Sequence, residues 1–369
     1  MDYNQYYLKN ISLYNFRNHK KFFSDFSSSC NIIIGSNGSG KTSILEAISL
    51  LSVGKGLKSA EVNNIIGYGG IESKIHSDLN TSLGLINLGV FLEFDSSSES
   101  FKKKYFIDEN KVKNKEYLLH SLDCVWMIPQ MDNFFLQDSS VKRKFIDKLI
   151  SVLDKDHLIR LIEYEKLLKE RSKVLFMYSH HHKWLDIIEE NICSIGVALS
   201  VARANFLEQL SEELSDNSIY KYPMKLMFEG MLEDLFKEHK FSLVVEGYYK
   251  ASLKNSREND KKTNTTTIGP HKSKLQGHSI KHSRLATMCS SGEQKILLIE
   301  MIVSFINLVF KIKKSKPVLL LDEINIHLDQ ENSDYIVNCF LNLGNQIFIT
   351  SVDNKYFVDN KNQFNFIKL

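Results

Sequence analysis

Eight consecutive residues near the start of the chain have the types and spacing of a phosphate-binding loop. The stretch Gly35-Ser36-Asn37-Gly38-Ser39-Gly40-Lys41-Thr42 fits the pattern G-x-x-x-x-G-K-[ST] in full. The glycines of such a loop let backbone N–H groups turn inward around phosphates. Lys41 can offer its ammonium to the β and γ phosphates, and the Thr42 hydroxyl can bind Mg²⁺. We therefore predict a site for ATP with Mg²⁺, and we add the next residue, Ser43, to its contacts.

Two acidic residues follow a short aliphatic run late in the chain. Val318 to Leu321 precede Asp322 and Glu323 directly. A carboxylate at the end of a buried strand can hold the hydration shell of Mg²⁺, and a second can accept a proton from an attacking water. Acidic turns after strands are common, so this interpretation depends on the phosphate loop. We assign Asp322 and Thr42 to metal binding, and Lys41, Asp322 and Glu323 to catalysis.

The stretch Ser290-Ser291-Gly292-Glu293-Gln294 precedes a helical pattern. Ser and Gly at a helix start are typical of a plain N-cap. Their place before Asp322 also matches the order of the ABC ATPase signature, L-S-G-G-Q. A helix N-terminus with a serine hydroxyl can bind phosphate, here that of ATP held by another subunit. We therefore predict that Ser291 and Gly292 contact ATP in trans.

Two shorter segments resemble other ABC elements. Gln130 follows the predicted strand Leu122–Ile128, where a Q-loop glutamine would sense Mg²⁺ and the γ-phosphate. His327-Leu328-Asp329 resembles the D-loop, which lies across a dimer seam. ABC transporters place a histidine after the last buried strand, whereas this chain has Thr350-Ser351-Val352-Asp353.

Hydrophobic patterns predict the elements that position these residues. Asn31 to Ile34 is a β-branched run that suits a central buried strand, and residues 41–52 have helical spacing. The loop would thus join a strand to a helix. A third buried strand is predicted at Gln346 to Thr350, after a helix at about 330–343, and residues 71–128 are strand-rich.

From Ser139 the pattern becomes helical, at 139–154, 156–178 and 184–215, and a polar stretch at 255–267 suggests a returning loop. Helical spacing resumes at 291–312. We predict an α/β fold: an ABC-type P-loop ATPase head with mixed sheets, and a helical arm inserted between the phosphate loop and the signature. The predicted domains are 1–138 (N-terminal head lobe), 139–262 (arm) and 263–369 (C-terminal head lobe).

Composition sets broad limits on the class of protein. The 369 residues carry a net charge of +3, which neither demands nor excludes a polyanionic partner. The five cysteines are dispersed without a C-x-x-C pair, which disfavours a disulfide framework and structural zinc and suggests reduced thiols in a cytoplasmic protein. No signal peptide is expected at the N-terminus. The apolar segment Ile296–Ile312 contains Glu300, so we expect a buried helix and no membrane association.

Together these elements resemble the RecF family of bacterial recombination and gap-repair ATPases over nearly the whole chain. Four further segments carry this resemblance. They are Leu13-Tyr14-Asn15-Phe16-Arg17-Asn18-His19 (L-x-N-F-R-N-[YH]), Tyr164–Arg171 (Y-x-x-x-L-K-x-R), Thr267-Ile268-Gly269-Pro270-His271 (T-x-x-G-P-H) and Lys142-Arg143-Lys144-Phe145-Ile146-Asp147 (R-R-x-F-L-D). The resemblance implies that Arg17 and Asn18 lie by the nucleotide.

The resemblance also implies a mechanism. Two protomers would close head to tail on two ATP molecules and bind double-stranded DNA near single-strand gaps, and slow, DNA-stimulated ATP hydrolysis would reopen the dimer. Expected partners are gapped DNA junctions, RecR and the RecO/RecA loading pathway. Lys142, Arg143 and Lys144 are either DNA contacts or a solvated helix face.

Some residues depart from the family pattern. Lys272-Ser273-Lys274 replaces the usual Arg and acidic residues after G-P-H, Glu293 replaces a signature glutamine, and Glu323 replaces a frequent Asp. Other classes of protein stay open. A transporter ATPase is disfavoured because more than half of the chain separates Lys41 from Ser291, much more than in transporter ATPases, and because the histidine after the last strand is missing. An SMC or Rad50 protein is disfavoured because it needs long coiled-coil arms, which this sequence lacks. A non-catalytic, ATP-dependent DNA-binding module is a further alternative.

Overall fold

The computed structural model describes residues 6–52, 54, 56–58, 60–96, 100–177, 182–215, 219–323, 330–352 and 364–369. Within these ranges the strands are β1 Tyr7–Leu8, β2 Asn10–Phe16, β3 His19–Asp25, β4 Cys30–Ile34, β5 Glu72–Thr81, β6 Gly84–Asp95, β7 Ser100–Ile107, β8 Asn110–Val112, β9 Cys124–Met127, β10 Met224–Glu229, β11 Lys274–Ser279, β12 Arg284–Leu285, β13 Val318–Leu321, β14 Ile347–Ser351 and β15 Phe364–Lys368. The α-helices are α1 Lys41–Leu50, α2 Asn114–His120, α3 Ser139–Leu153, α4 Lys155–Met177, α5 His182–Leu214, α6 Met231–Glu238, α7 Ser242–Thr263, α8 Ser291–Lys313 and α9 Gln330–Leu341.

The chain divides into two units. The first combines Met1–Asp132 with Val309–Leu369, and the second is Asn133–Leu308. The division into two head lobes and an arm, with boundaries after residues 138 and 262, stays a prediction.

A parallel sheet in the first unit has the strand order β15-β4-β14-β13-β9. Its inner strands are continuous apolar runs, which parallel sheets bury on both faces. This confirms the strands predicted at Asn31–Ile34, Val318–Leu321, Gln346–Thr350 and Leu122–Ile128. Because the strands are parallel, the residues after β4, β14, β13 and β9 all lie at one edge of the sheet.

The second sheet of this unit is antiparallel, in the order β3-β2-β5-β6-β7-β8, with β1 also pairing with β5. Along β5 buried residues alternate with half-exposed ones, as expected for a sheet with one face in the core. The helix α1 has Ile44, Leu45 and Ile48 in the same core. The predicted strand-rich region is confirmed, and it additionally contains α2.

The second unit contains α3 to α7 and a small antiparallel sheet of β10, β11 and β12. Its helical core includes Tyr164 of α4, Leu185 and Ile192 of α5, and Val245 and Tyr249 of α7. The predicted helices at 139–154, 156–178 and 184–215 are confirmed within two residues at each end.

One expectation for this region is wrong. Residues 255–263 do not form a loop, because α7 continues to Thr263. The helix persists despite its polar composition because Val245, Tyr249 and Leu253 form a buried stripe, and Asp260 accepts a hydrogen bond from buried Arg171. Besides the predicted helices, this region contains β10, which pairs with β11.

The helix α8 contains the apolar segment predicted to be a buried helix. Its residues Ile296, Leu298, Met301 and Phe305 are 1% exposed or less. Over the described ranges, no helix has the length and the apolar character that crossing a membrane requires.

Candidate functional site

The phosphate-loop residues join β4 to α1, so the predicted strand–loop–helix order is present. Gly38 and Gly40 have φ angles of 82° and 101°, in the left-handed region that glycine adopts at little cost. A Cβ atom at Gly35 would overlap Ser39 Oγ. Gly38 and Gly40 therefore take backbone angles that other residues rarely adopt, and a side chain at Gly35 would force Ser39 to move.

The loop concentrates hydrogen-bond donors. The helix α1 starts with Gly40 as N-cap and no side-chain cap, so side chains do not cover its first N–H groups. Within the described residues, Ser39 Oγ is buried without a hydrogen-bond partner. Lys41 Nζ donates to the carbonyls of Gly35 (2.8 Å) and Ser36 (3.0 Å), which holds the ammonium against the loop. Free N–H groups, a hydroxyl and a cation at a helix N-terminus form an anion site.

The carboxylate of Asp322 lies directly beside this loop. Thr42 Oγ1 donates to Asp322 Oδ1 (3.0 Å) and Oδ2 (3.1 Å). From the neighbouring strand, Thr350 Oγ1 donates to Asp322 Oδ1 at 2.7 Å. Thr42 and Asp322, separated by most of the sequence, thus come together because β4, β14 and β13 are adjacent in one sheet.

Thr350 has a role that sequence reasoning missed. Its hydroxyl also accepts the N–H of Glu323 at 2.9 Å, so one side chain holds both the Asp322 carboxylate and the Glu323 backbone. Glu323 has a φ of 48°, an uncommon conformation for a non-glycine residue. The available signal was a threonine at the end of a buried strand, where an ABC transporter has a histidine nearby.

Gln130 lies at the same edge of the sheet. It follows β9, whose residue Met127 pairs with Leu321 of β13, and the Asp322 N–H donates to the Met127 carbonyl at 3.0 Å. Gln130 is part of a short 3₁₀ turn from Pro129 to Met131. The Q-loop role of Gln130 stays a prediction.

Arg17 and Asn18 lie next to the phosphate loop, but Arg17 is already bound within the chain. Its guanidinium makes a bidentate ion pair with Glu46 of α1 (2.6 and 2.8 Å) and donates to the Asn64 carbonyl (2.5 Å). Arg17, Asn18 and Ser43 line one side of a cavity of about 630 Å³. Arg17 thus fastens the β2–β3 turn to the phosphate-loop helix, which sequence reasoning did not foresee.

The signature-like segment forms a capping box at the start of α8. The Ser290 N–H donates to Glu293 Oε2 (2.7 Å), and Ser290 Oγ accepts the Glu293 N–H (3.4 Å). The capping residue is therefore Ser290, and Ser291 is exposed as the first residue of the helix. A Cβ atom at Gly292 would meet no atom within 4 Å. Ser291 and Gly292 hence have open space in front of them, as a contact in trans would need.

Two of the family-like segments meet inside the second unit. Tyr164 Oη bonds to His271 Nδ1 (2.9 Å) and Tyr249 Oη (3.0 Å). Fully buried Arg171 donates to Glu189 (2.9 Å), Asp260 (2.7 Å) and Thr266 (3.0 Å). The Y-x-x-x-L-K-x-R and T-x-x-G-P-H segments thus share one buried polar network, and their tyrosine, arginine and histidine stabilise the fold.

The three candidate DNA contacts on α3 have different surroundings. Lys142 is only 8% exposed and donates to the Phe135 carbonyl at 3.0 Å, and burial lowers its pKa. The prediction that Lys142 faces DNA or solvent is therefore wrong. Half-buried Arg143 donates to the Ser273 carbonyl at 2.6 Å, and only Lys144 is fully exposed.

Asp147, at the end of the same segment, is a buried structural group. Arg203 binds it with two hydrogen bonds (2.8 and 2.7 Å), and His157 Nε2 lies 2.9 Å from it. Burial alone would raise the pKa of Asp147, but the Arg203 charge and the hydrogen bond with His157 outweigh burial and lower that pKa.

The residues of the site fit a Mg²⁺ ion held jointly with a nucleotide. Among the residues that the structure describes, no three His, Cys, Asp or Glu side chains form a metal cluster. The donors beside the loop are instead hard oxygens, the Thr42 hydroxyl and the Asp322 carboxylate. Mg²⁺ is commonly bound by one carboxylate together with substrate phosphates. The predicted D-loop, His327-Leu328-Asp329, lies outside the described residues.

Comparison with known proteins identifies the family. The family described as "RecF/RecN/SMC N terminal domain" matches residues 7–368. The DNA replication and repair protein RecF of Rickettsia felis is 33% identical over 98% of both chains, and that of Rickettsia rickettsii is 32% identical over 98% of this chain and 99% of the relative.

Solved structures agree with this result. The recombination mediator protein RecF with ATP is 26% identical, with a TM-score of 0.82 over 95% of this chain and 94% of that chain. An Smc head bound to a domain of ScpA, 15% identical with a TM-score of 0.55 over 96% and 92% of the chains, shares the fold alone. The chain therefore belongs to the RecF family, the DNA replication and repair ATPases that share the ABC and SMC head fold.

Proposed function

We propose that this protein is an ATP-dependent DNA-binding ATPase of recombinational repair and replication restart. One observation carries the proposal: the Thr42 hydroxyl of a complete phosphate loop is bonded to the Asp322 carboxylate at the end of an adjacent strand. A hydroxyl and a carboxylate beside a phosphate loop are the groups that ATP hydrolysis with Mg²⁺ uses, and this supports the proposal. Family membership supports action on DNA.

Different residues of the first unit would bind the phosphates, hold the metal and accept a proton during ATP hydrolysis. The N–H groups of the loop and the Lys41 ammonium bind the phosphates and offset their charge. When bound, Mg²⁺ neutralises phosphate charge and orients the γ-phosphate; Thr42 and Asp322 are the residues that would hold it. Thr350 keeps the Asp322 carboxylate in one orientation. Glu323 is the base that accepts a proton from the attacking water.

Each site would be completed by a second copy of the chain. Exposed Ser291 and unobstructed Gly292, at the N-terminus of α8, would contact the γ-phosphate of ATP held by the partner protomer. ATP binding would thereby close a head-to-tail homodimer on double-stranded DNA, near gapped junctions, and slow hydrolysis would reopen it. RecR and the RecO/RecA pathway are the proposed partners, and the cytoplasm the proposed location.

Dimerisation and binding to a labelled DNA duplex, each with and without ATP, test the proposal. We expect both to require ATP, and a Lys41→Ala variant to lose both because the ammonium no longer offsets phosphate charge. An Arg160→Ala variant, altered at a half-exposed ion pair of α4, is the control and should keep both. ATP-independent DNA binding by a persistent monomer would contradict the proposed clamp.

A further inference from the structure

A hollow of about 490 Å³ opens on the second unit beside α4. We call it the arm hollow; its lining includes Lys169, Lys173, Lys272, Leu168 and Phe176. Lys169 and Leu168 belong to the Y-x-x-x-L-K-x-R segment, and Lys272 follows the G-P-H segment directly. Two family-like segments that are distant in sequence therefore supply cations to one surface.

Two of these lysines are held outward by the burial of the residue between them. Arg171 is fully buried and bonded to Glu189 and Asp260, so its face of α4 points into the core. Lys169 and Lys173 lie two positions to either side, which at about 3.6 residues per turn is the opposite face of the helix. Both are exposed.

The backbone position of the third lysine, Lys272, is set by the hydrogen bonds of His271 beside it and by a turn. His271 Nε2 donates to the Thr266 carbonyl (2.8 Å), so its Nδ1 accepts from Tyr164 (2.9 Å). The Lys272 N–H donates to the Gly269 carbonyl at 2.9 Å, which closes a turn. Burial, followed by the nearby cations, lowers the pKa of His271 to about 4, so His271 is neutral at pH 7. The positive charge of the hollow thus comes from its lysines.

Within the described part of the chain, no acidic side chain forms an ion pair with Lys169, Lys173 or Lys272. Glu165 and Glu170 stand about one turn before Lys169 and Lys173 on α4 and offset part of the charge without pairing. By contrast, Lys250 and Arg257 on α7 pair with Glu190 and with Asp186 and Glu189. Three exposed ammonium groups around one hollow repel each other, and a polyanion would relieve this repulsion.

We propose that the arm hollow binds the phosphate backbone of duplex DNA through Lys169, Lys173 and Lys272. The inference rests on the proposed function, which supplies the polyanion. Phosphates on one strand follow each other at about 3.4 Å along the duplex axis, and Lys169 and Lys173 are separated by about one turn, or 5–6 Å, of α4. Each lysine can therefore reach a different phosphate. Leu168 and Phe176 offer apolar surface to the deoxyribose between them.

The test is an arm variant of the full chain in which the three lysines of the hollow are replaced together by Gln. Affinity for a fluorescent 30-base-pair duplex is measured with ATP over a range of salt concentrations. Each phosphate contact contributes about 0.9 to the slope of log K against log salt, so the slope should fall by about 2.7. The same relation predicts a loss of affinity of about 100-fold at 0.15 M salt. Replacement of the three lysines by Arg should preserve both quantities.

A matched control removes the same charge elsewhere. Lys111, Lys240 and Lys314 are exposed and lie on separate elements or loops, so their combined replacement by Gln should leave the slope nearly unchanged. Arm and control variants with equal slopes and affinities would overturn the inference and leave the hollow to an acidic protein partner. If the unsubstituted chain bound no duplex with ATP, the proposed function itself would fail. DNA binding that is insensitive to the arm variant refutes the arm site alone.

Discussion

Replacement of Thr350 by Val tests most directly whether the Thr350 hydroxyl orients the Asp322 carboxylate. The substitution keeps the shape of a side chain that is 2% exposed and removes only its hydroxyl. That hydroxyl donates to Asp322 at 2.7 Å and accepts the Glu323 N–H at 2.9 Å. A hydrogen bond to a charged group contributes about 1.5–3 kcal/mol and a neutral one about 1 kcal/mol. Together they predict that the free energy of unfolding in urea falls by about 2.5–4 kcal/mol.

The same substitution should change the response of ATP hydrolysis to Mg²⁺. Thr42 still donates to Asp322, so the carboxylate stays near the phosphate loop but loses one of its two orienting hydroxyls. Loss of such an outer partner typically costs about 10- to 100-fold in metal affinity or activity. We expect the Mg²⁺ concentration for half-maximal hydrolysis to rise by about that factor, measured by phosphate release over a Mg²⁺ titration.

Thr350→Ser is the matched control, because it keeps the hydroxyl and removes only a methyl group. The Ser variant should retain the Mg²⁺ response of the unsubstituted chain. If folded Thr350→Val protein showed the same Mg²⁺ dependence as the Ser variant, Thr350 would not be the group that orients Asp322.

Three further predictions concern the stability of the second unit, all measured by urea unfolding. Arg171→Leu should destabilise by about 3–5 kcal/mol because it leaves two buried carboxylates without their cation, whereas Arg160→Leu, at a half-exposed pair, should cost at most about 1 kcal/mol. Gly269→Ala should lower the free energy of unfolding by at least about 2 kcal/mol, since φ is 127° and a Cβ atom would overlap a tyrosine hydroxyl. Gly247→Ala, in open space on a helix, is the control and should be neutral or stabilising. Equal changes in stability for the two variants would refute this account. The pKa of His271 is about 4 in the fold against 6.5 ordinarily, so the unfolded chain binds its proton more readily. Stability should then fall by up to about 3 kcal/mol as pH drops from 6.5 to 4, and His271→Gln should remove that part of the slope.

The phosphate loop and the buried strands beside it could be predicted because both depend on local residue patterns. A phosphate loop needs glycines and a lysine at fixed spacing, and a buried parallel strand needs a continuous apolar run. Both patterns can therefore be recognised in the sequence. Local patterns failed where a tertiary contact decided the outcome. The polar stretch 255–263 continues α7 because Asp260 in it pairs with Arg171, which lies far away along the chain. Lys142 is buried because its ammonium donates to the Phe135 carbonyl, which lies outside the basic motif.

What the sequence by itself determined was the nucleotide chemistry, the strand–loop–helix order and the resemblance to the RecF family. The tertiary structure alone decided which side chains share a site. Adjacent parallel strands bring Thr42, Asp322 and Thr350 within hydrogen-bond distance, although no spacing in the sequence relates them. Burial of Arg171 likewise turns Lys169 outward. The physical reason is that strand order and helix facing depend on packing between distant segments, and local residue patterns do not encode that packing.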